Sequence, residues 1–332
     1  MKSPPPSATR HASVRARLRW QLLASVSAMA LIVSIGLHKK AKAEEPSPPL
    51  VADPGRWQIA FEGQLAIFGG AETVWDPGCG CDSSISTVGP DYGADLGISI
   101  TREMASSGWL ASFAMRYGRS NAAEDSFRYG YPSLYTGGRA THQEQHGIID
   151  FAVGRDVGLG LFGRSGGTST VTAGVRIAHF SADTDAALTA GGYYPSPPGY
   201  YAVSLPGQIK RSFTGIGPRI AWNGSAPIER NPAFSFDWGV AGALLFGRQK
   251  AQVSMTYAGY VLPLYARKES VLVPNVEGFA AVSWQPESIP GKLTVGYRID
   301  AYFGVIDGGF DEADSVDRII HGPFARFTVG LD

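Results

Sequence analysis

From residue 57 to the end of the chain, apolar and polar side chains alternate with a period of two. In residues 291–303, for example, Leu293 and Val295 alternate with Thr294 and Gly296. Period two is the repeat of a β-strand that has one apolar and one polar face. The pattern recurs in ten segments, each near the length that a tilted membrane strand needs. The segments are 57–69, 92–102, 108–118, 146–156, 169–180, 211–222, 234–247, 272–284, 291–303 and 321–331.

The connections between these segments alternate in length. Outer-membrane barrels have short periplasmic turns and long external loops. We therefore predict an all-β fold over 57–332, a transmembrane antiparallel up-and-down β-barrel of about ten strands. Twelve strands is the alternative, because 248–271 could form another hairpin or extend its neighbours, and Pro218 predicts a bulge or strand end. The predicted long external loops are 70–91, 119–145, 181–210, 248–271 and 304–320, and the predicted short periplasmic turns are 103–107, 157–168, 223–233 and 285–290.

The composition agrees with membrane strands. Only 17% of the 332 residues are charged, below the roughly 25% that is usual in soluble domains. The 42 glycines and 11% aromatic residues suit many strands and tight turns. The 29 basic and 29 acidic side chains cancel, so no general attraction to nucleic acid is expected.

The N-terminal segment has the pattern of a secretory signal peptide. Four arginines precede an uncharged apolar run at 21–37, and Ala41-Lys42-Ala43 follows as a small-x-small cleavage pattern. We predict a signal peptide over 1–43 and a flexible, Pro-rich periplasmic lead over 44–56. An uncleaved anchor helix is the alternative, because the apolar run is long and lysines follow it. Export by this route predicts the cell outer membrane as the location.

The polar face of the predicted strands points into the barrel and carries six acids and six arginines. Buried charge is costly unless it is paired, and the planar arginine fork suits carboxylates. A charge-lined path for small polar solutes and a salt-bridge network that plugs a narrow lumen both remain open. Ten strands lie nearer the filled eight-stranded limit than the open sixteen-stranded one. The candidate lumen-lining residues are Glu62, Asp95, Arg116, Asp150, Arg176, Arg211, Arg219, Asp237, Glu277, Arg298, Asp300 and Arg326.

Three segments carry a resemblance to a known family. They are 317–331 (DRIIHGPFARFTVGL), 238–248 (WGVAGALLFGR) and 174–180 (GVRIAHF). Together they resemble the Legionella-type major outer membrane protein family, a group regarded as pore-forming, over roughly 57–332. The resemblance implies a porin-like barrel for passive passage of small polar solutes. One departure is the C-terminus, which ends Leu331-Asp332 and not on the aromatic residue that the barrel assembly machinery reads in many barrels.

No motif for catalysis or for a cofactor is evident, so we predict neither an enzyme nor a metal site. There is no Gly-x-Ser-x-Gly, no phosphate-binding glycine loop and no metal-spaced cysteine set. His142 and His146 lack the His-Glu-x-x-His order and are predicted to lie in an exposed polar loop. Cys79 and Cys81 are predicted to form a local disulfide or to stay free thiols.

A structural or adhesive surface barrel with a plugged lumen is the alternative function. It is suggested by aromatic residues in the predicted external loops, since such surfaces bind ligands or partners. The predicted partners are outer-membrane lipid and lipopolysaccharide, the barrel assembly machinery and small polar solutes, with a possible homo-oligomer and no nucleic acid. The tyrosines concerned are Tyr129, Tyr131, Tyr135, Tyr193, Tyr194, Tyr200 and Tyr201.

Overall fold

A computed structural model describes most of the chain from residue 56 onward. The described residues are 56–70, 72–75, 86–90, 92–104, 107–131, 134–158, 167–195, 198–228, 231–285, 291–308 and 315–331. The predicted signal peptide, the predicted lead up to residue 55, and both cysteines lie outside these ranges. No helix in the described part of the chain is long and apolar enough to cross a membrane.

The described residues contain thirteen strands. They are β1 (Trp57–Gly69), β2 (Glu72–Trp75), β3 (Ser86–Val88), β4 (Tyr92–Met104), β5 (Trp109–Ser120), β6 (Ala123–Tyr131), β7 (Leu134–Asp156), β8 (Thr168–Pro195), β9 (Pro198–Ile228), β10 (Asn231–Tyr257), β11 (Tyr260–Trp284), β12 (Gly291–Asp307) and β13 (Ser315–Leu331). β2 and β3 form a separate two-stranded hairpin. The other eleven strands belong to one antiparallel sheet.

The large sheet closes on itself. Its order is β5-β4-β1-β13-β12-β11-β10-β9-β8-β7-β6, and β5 also pairs with β7. β6 pairs with the part of β7 that precedes the part paired with β5, so β5 and β6 occupy one position in the ring. The ring therefore has ten strand positions, and the first and last strands pair with Trp57 opposite Leu331. The predicted ten-stranded antiparallel barrel is confirmed.

Three of the predicted external loops are strand hairpins. β8 and β9 stay paired as far as Pro195 and Pro198, and β10 and β11 as far as Tyr257 and Tyr260. β6 and β7 fill 119–145 in the same way. At about 3.3 Å per residue and a tilt near 40°, the 31 residues of β9 rise roughly 75 Å. The extensions rise above the height of a bilayer, so their outward positions need not be apolar: on β10 Lys250 and Gln252 are exposed, whereas Ala251 and Val253 are buried.

Pro218 lies inside β9 and neither ends the strand nor produces a bulge. The ladder between β9 and β10 passes from Arg219 to Ile216 without a register shift. Proline has no N–H to donate, which explains the gap in the pairing at this point. The predicted bulge or strand end is therefore wrong.

The outward face carries a continuous apolar band. On β10 it extends from Phe236 to Phe246, both exposed, and the next outward side chains are Arg248 and Lys250. Ten residues of tilted strand span about 25 Å, the height of the apolar band of outer-membrane barrels. Exposed tryptophans occur at the end of the ring with the short connections, as in membrane–water interfaces. They are Trp57, Trp109 and Trp284.

A layer of apolar side chains crosses the inside of the ring. Two glycines on neighbouring strands make room for the ring of Phe213: a Cβ at Gly215 would lie 2.4 Å from its Cζ, and one at Gly247 would lie 2.5 Å from its Cε2. The barrel thus has a packed core inside it, where small and large residues alternate to fill the section. The buried members are Ala66, Phe68, Ile148, Ala178, Phe180, Ala182, Phe213, Ala243, Leu245, Val273, Tyr302, Val305, Ile306 and Ile320.

Candidate functional site: a septum across the barrel

Arg176 on β8 is the centre of a layer of ion pairs inside the ring. It donates two 2.7 Å hydrogen bonds to the two carboxylate oxygens of Asp150 on β7, its cross-strand neighbour. On the far side it donates to Glu277 Oε2 at 2.7 Å and to Asn275 Oδ1 at 2.6 Å, both on β11. The Arg176 side chain is 1% exposed. A bidentate arginine that is this well shielded links opposite walls of the barrel.

Further ion pairs on β1, β5, β12 and β13 complete this layer. Glu62 on β1 accepts hydrogen bonds from Arg298 on β12 and, at 2.7 Å, from Arg326 on β13. The Nη2 atom of Arg116 on β5 lies 2.5 Å from Asp300 Oδ2, and that carboxylate is 1% exposed. Eight of the ten strand positions contribute one or two charges to this layer, so the pairs form a connected network and not isolated bridges.

Arg219 on β9 is held more loosely than the other arginines of the layer. Its Nε and Nη2 atoms lie 3.5 Å from carboxylate oxygens of Asp150 and Glu277, outside good hydrogen-bond geometry. Its side chain is 14% exposed. Arg219 therefore faces the open space on the side of the network that is nearer the short connections.

The apolar layer lies next to the ion pairs along the barrel axis, on the side of the long hairpins. Phe180 packs edge-on against Tyr302, with ring centroids 4.7 Å apart, and stacks on His146 at 5.6 Å. His146 in turn contacts Asp95 Oδ2 through Nε2 at 3.2 Å. We call the ion-pair layer and this apolar layer together the septum. The buried residues of the apolar layer are at most 8% exposed, and the charged side chains of the ion-pair layer range from 1% exposed at Arg176 to 27% at Arg326. In the described residues these side chains fill most of the section of the barrel.

A second polar layer, the outer polar layer, lies on the side of the septum that faces the long hairpins. Arg318 on β13 donates from Nε to both oxygens of Glu144 at 2.7 Å. His142 contacts Glu144 Oε1 at 2.9 Å and Thr184 Oγ1 at 2.7 Å. Gln143 is the outward neighbour of Glu144, so β7 has left the apolar band at this height. Burial alone would raise the pKa of Glu144, but Arg318 and His142 outweigh it and hold this pKa below the usual 4.5.

The two histidines of β7 are not in an exposed loop. His142 and His146 are both buried, and each pairs with a carboxylate. Their predicted exposure is wrong because β7 begins at Leu134 and the alternation of inward and outward positions continues through them. Within the described residues no group of three His, Cys, Asp or Glu side chains could hold a metal ion.

A polar cavity of about 420 Å³, the inner vestibule, lies on the other side of the septum. Hydroxyl side chains line its walls, including Ser112, Thr170 and Ser99. Arg219 and Glu277 form part of the end that adjoins the septum. Small residues on β1, β4 and β5 keep this space open, whereas long charged side chains fill the adjoining ion-pair layer. The vestibule opens at the end of the ring that has the short connections.

The twelve candidate lumen residues fall into four places. Asp95 contacts His146 inside the apolar layer, and Arg211 is buried in the outer polar layer, where burial and Arg318 lower the pKa of Arg211 to about 10. Asp237 lies near the inner mouth, 2.5 Å from Lys292 Nζ. The remaining nine belong to the ion-pair layer: Glu62, Arg116, Asp150, Arg176, Arg219, Glu277, Arg298, Asp300 and Arg326.

Sequence reasoning missed the charged pair of the outer polar layer. Glu144 and Arg318 fall in 119–145 and 304–320, which the pattern predicts as loops, because Gln143, Gln145 and Asp317 interrupt the apolar alternation there. A pattern of inward polar residues with period two, as in His142, Glu144 and His146, was the available signal.

Comparisons with known proteins show the fold. No protein-family model matches the chain, and no curated protein matches it by sequence. Among solved structures, the outer membrane protease OmpT of Escherichia coli is 12% identical, covers 85% of this chain and 99% of its own, and has a TM-score of 0.52. At this identity the likeness shows the barrel fold alone.

Two weaker similarities are to a major outer membrane protein of Thermus thermophilus and to the translocator domain of the autotransporter NalP of Neisseria meningitidis. The first is 11% identical, covers 83% of this chain and 99% of its own, and has a TM-score of 0.34. The second is 13% identical, covers 98% of this chain and 100% of its own, and also has a TM-score of 0.34.

Proposed function

We propose that this protein is an outer-membrane β-barrel with a closed lumen that acts as a structural or adhesive element of the cell surface. The observation that carries the proposal is the septum. Arg176 of the ion-pair layer and Phe213 and Tyr302 of the apolar layer are each no more than 1% exposed. Side chains that line a wet channel would keep contact with water. This supports the plugged alternative over the porin-like one.

The outward face supports the outer membrane as the location. A band about 25 Å high with tryptophans at one edge matches what a bilayer requires of a barrel. The predicted signal peptide over 1–43 would provide export, and the barrel assembly machinery would insert the chain. The resemblance to the Legionella-type family is compatible with this location, and membership of that family is part of the proposal.

The surface role rests on the height of β7 to β11. These strands continue far beyond the apolar band, whereas β12 and β13 are 17 residues each. The tall wall carries tyrosines at its hairpin ends, for example Tyr193 opposite Tyr200. A tall sheet whose hairpin ends are rich in tyrosine would be suited to contact with another surface.

A narrow, gated solute path is the second candidate, and the inner vestibule is the observation that favours it. Its hydroxyl and charged lining would solvate small polar solutes, but passage would require the ion pairs of Arg176 and Arg116 to part.

We infer no catalytic role. The chain's arrangement of Thr184, His142 and Glu144 resembles a proton relay, but all three are buried and out of reach of a substrate.

Cysteine labelling in proteoliposomes tests the closed lumen. In a background with Cys79→Ser and Cys81→Ser, Lys268→Cys reports the outer end and Ser112→Cys reports the vestibule. The labelled fraction of the first variant with a membrane-impermeant maleimide gives the fraction of barrels whose outer end faces outward. In a closed barrel, Ser112→Cys labels only in the remaining fraction, so the two fractions add up to one. Near-complete labelling of both would reject the proposal.

A further inference from the structure

A shallow groove of about 780 Å³ lies on the outward face of β8 to β11, at the outer edge of the apolar band. Its lower part is apolar and includes Ile216, Phe246 and Leu272, all of them exposed. Its upper part is basic and includes Arg248 and Lys250. The groove therefore changes from apolar to cationic within about two residues of strand.

The cations of the groove lie close together on adjacent strands. Lys250 on β10 pairs directly opposite Lys268 on β11, and Arg248 is two residues further along the same face. Like charges directly opposite in a sheet destabilise it. All three side chains are exposed, and within the described part of the chain none of them forms an ion pair. An anion from outside the chain would relieve this repulsion.

Hydroxyl groups flank the cations. Thr214 on β9 lies opposite Arg248, and Ser212 lies opposite Lys250. Thr214 Oγ1 contacts His179 Nδ1 at 2.8 Å on the exposed surface. A phosphate group has several strong acceptor oxygens, and arginine, lysine and hydroxyl side chains together supply the donors that such oxygens take up.

We propose that this groove binds the phosphorylated headgroup of an outer-leaflet glycolipid of the lipid A class. Arg248, Lys250 and Lys268 contact the phosphates, and the first carbons of an acyl chain lie against Phe246 and Leu272. The site has the height of a headgroup because it begins where the apolar band ends. Basic residues at that depth attract anionic lipid. The inference rests on the proposed outer-membrane location.

Titration of the purified, detergent-folded barrel with bisphosphorylated lipid A, followed by native mass spectrometry, tests the site. Arg248→Ser/Lys250→Ser removes two charges from the groove. Arg139→Ser/Lys210→Ser is the matched control, because it removes two exposed charges from the same end that face Glu124 and Asp183. At about 1 kcal/mol per basic side chain, the groove variant should bind roughly 30-fold more weakly, and the control should change little.

The lipid arms identify the headgroup chemistry. Dephosphorylated lipid A should bind the wild type about as weakly as bisphosphorylated lipid A binds the groove variant. Inorganic phosphate alone should compete poorly, because it lacks the apolar contact. Equal lipid A binding by the wild type and the groove variant would overturn the inference. Failure of the wild type to fold in detergent or to fractionate with the outer membrane would instead count against the proposed location.

Discussion

Replacing Arg176 by methionine should destabilise the barrel more than any surface substitution. The guanidinium donates short hydrogen bonds to Asp150, Asn275 and Glu277, so its loss leaves two carboxylates in a shielded layer. The cations that remain near them are Arg219, at 3.5 Å from both carboxylates, and Arg298, at 4.0 Å from Glu277. Breaking a buried ion pair by removal of one partner costs about 3–5 kcal/mol.

Equilibrium urea unfolding in lipid vesicles, followed by tryptophan fluorescence, measures this cost. Arg155→Met is the control, since Arg155 is an exposed arginine of β7, and it should change the free energy of unfolding by less than about 1 kcal/mol. The double variant Arg176→Met/Asp150→Asn should lose clearly less stability than the two single variants lose together, because the two residues share one interaction. A cost below about 1 kcal/mol for Arg176→Met would refute the reasoning, since it would mean that water surrounds the ion-pair layer.

Two further predictions test backbone packing and pH dependence. Gly217→Ala should prevent stable folding, because its Cβ would lie 1.8 Å from the carbonyl oxygen of Leu244, whereas Gly147→Ala, with nothing within 4 Å, should be tolerated; heat-modifiable gel migration distinguishes them. The pKa of Glu144 is lowered in the folded state, so its ionised form stabilises the fold above pH 4.5, and this stabilisation is lost as the pH falls from there through the lowered value. Glu144→Gln should therefore be less stable at neutral pH and show a smaller loss on acidification. An unchanged pH profile of unfolding would contradict the assigned role of Arg318.

The barrel could be predicted from sequence wherever the bilayer imposes a pattern. Lipid accepts only apolar side chains, so Val295 and Ile299 mark outward positions, and their neighbours Arg298 and Asp300 must point inward. Beyond the band no such constraint exists, so the pattern predicts loops where the structure has strands. The partners of each charge also follow from ring closure and not from local pattern, since Glu62 meets an arginine 236 residues further along the chain.

The same limit explains the septum. Six acids and six arginines on one face indicate pairing, but they do not show whether the pairs leave a gap between them. That depends on the apolar layer, in which Phe213 fits only because two neighbouring positions are glycine. Glycine in a strand can equally indicate a bulge or a bend, so this packing could not be derived from the residue types.

Single-channel recording in planar bilayers tests the central claim most directly. The purified, refolded barrel should insert, as shown by protease protection in vesicles prepared in parallel, and should give no stepwise increases in current at any salt concentration or voltage. Reproducible open-channel steps whose size scales with salt concentration would contradict a closed septum and would favour the solute path through the inner vestibule.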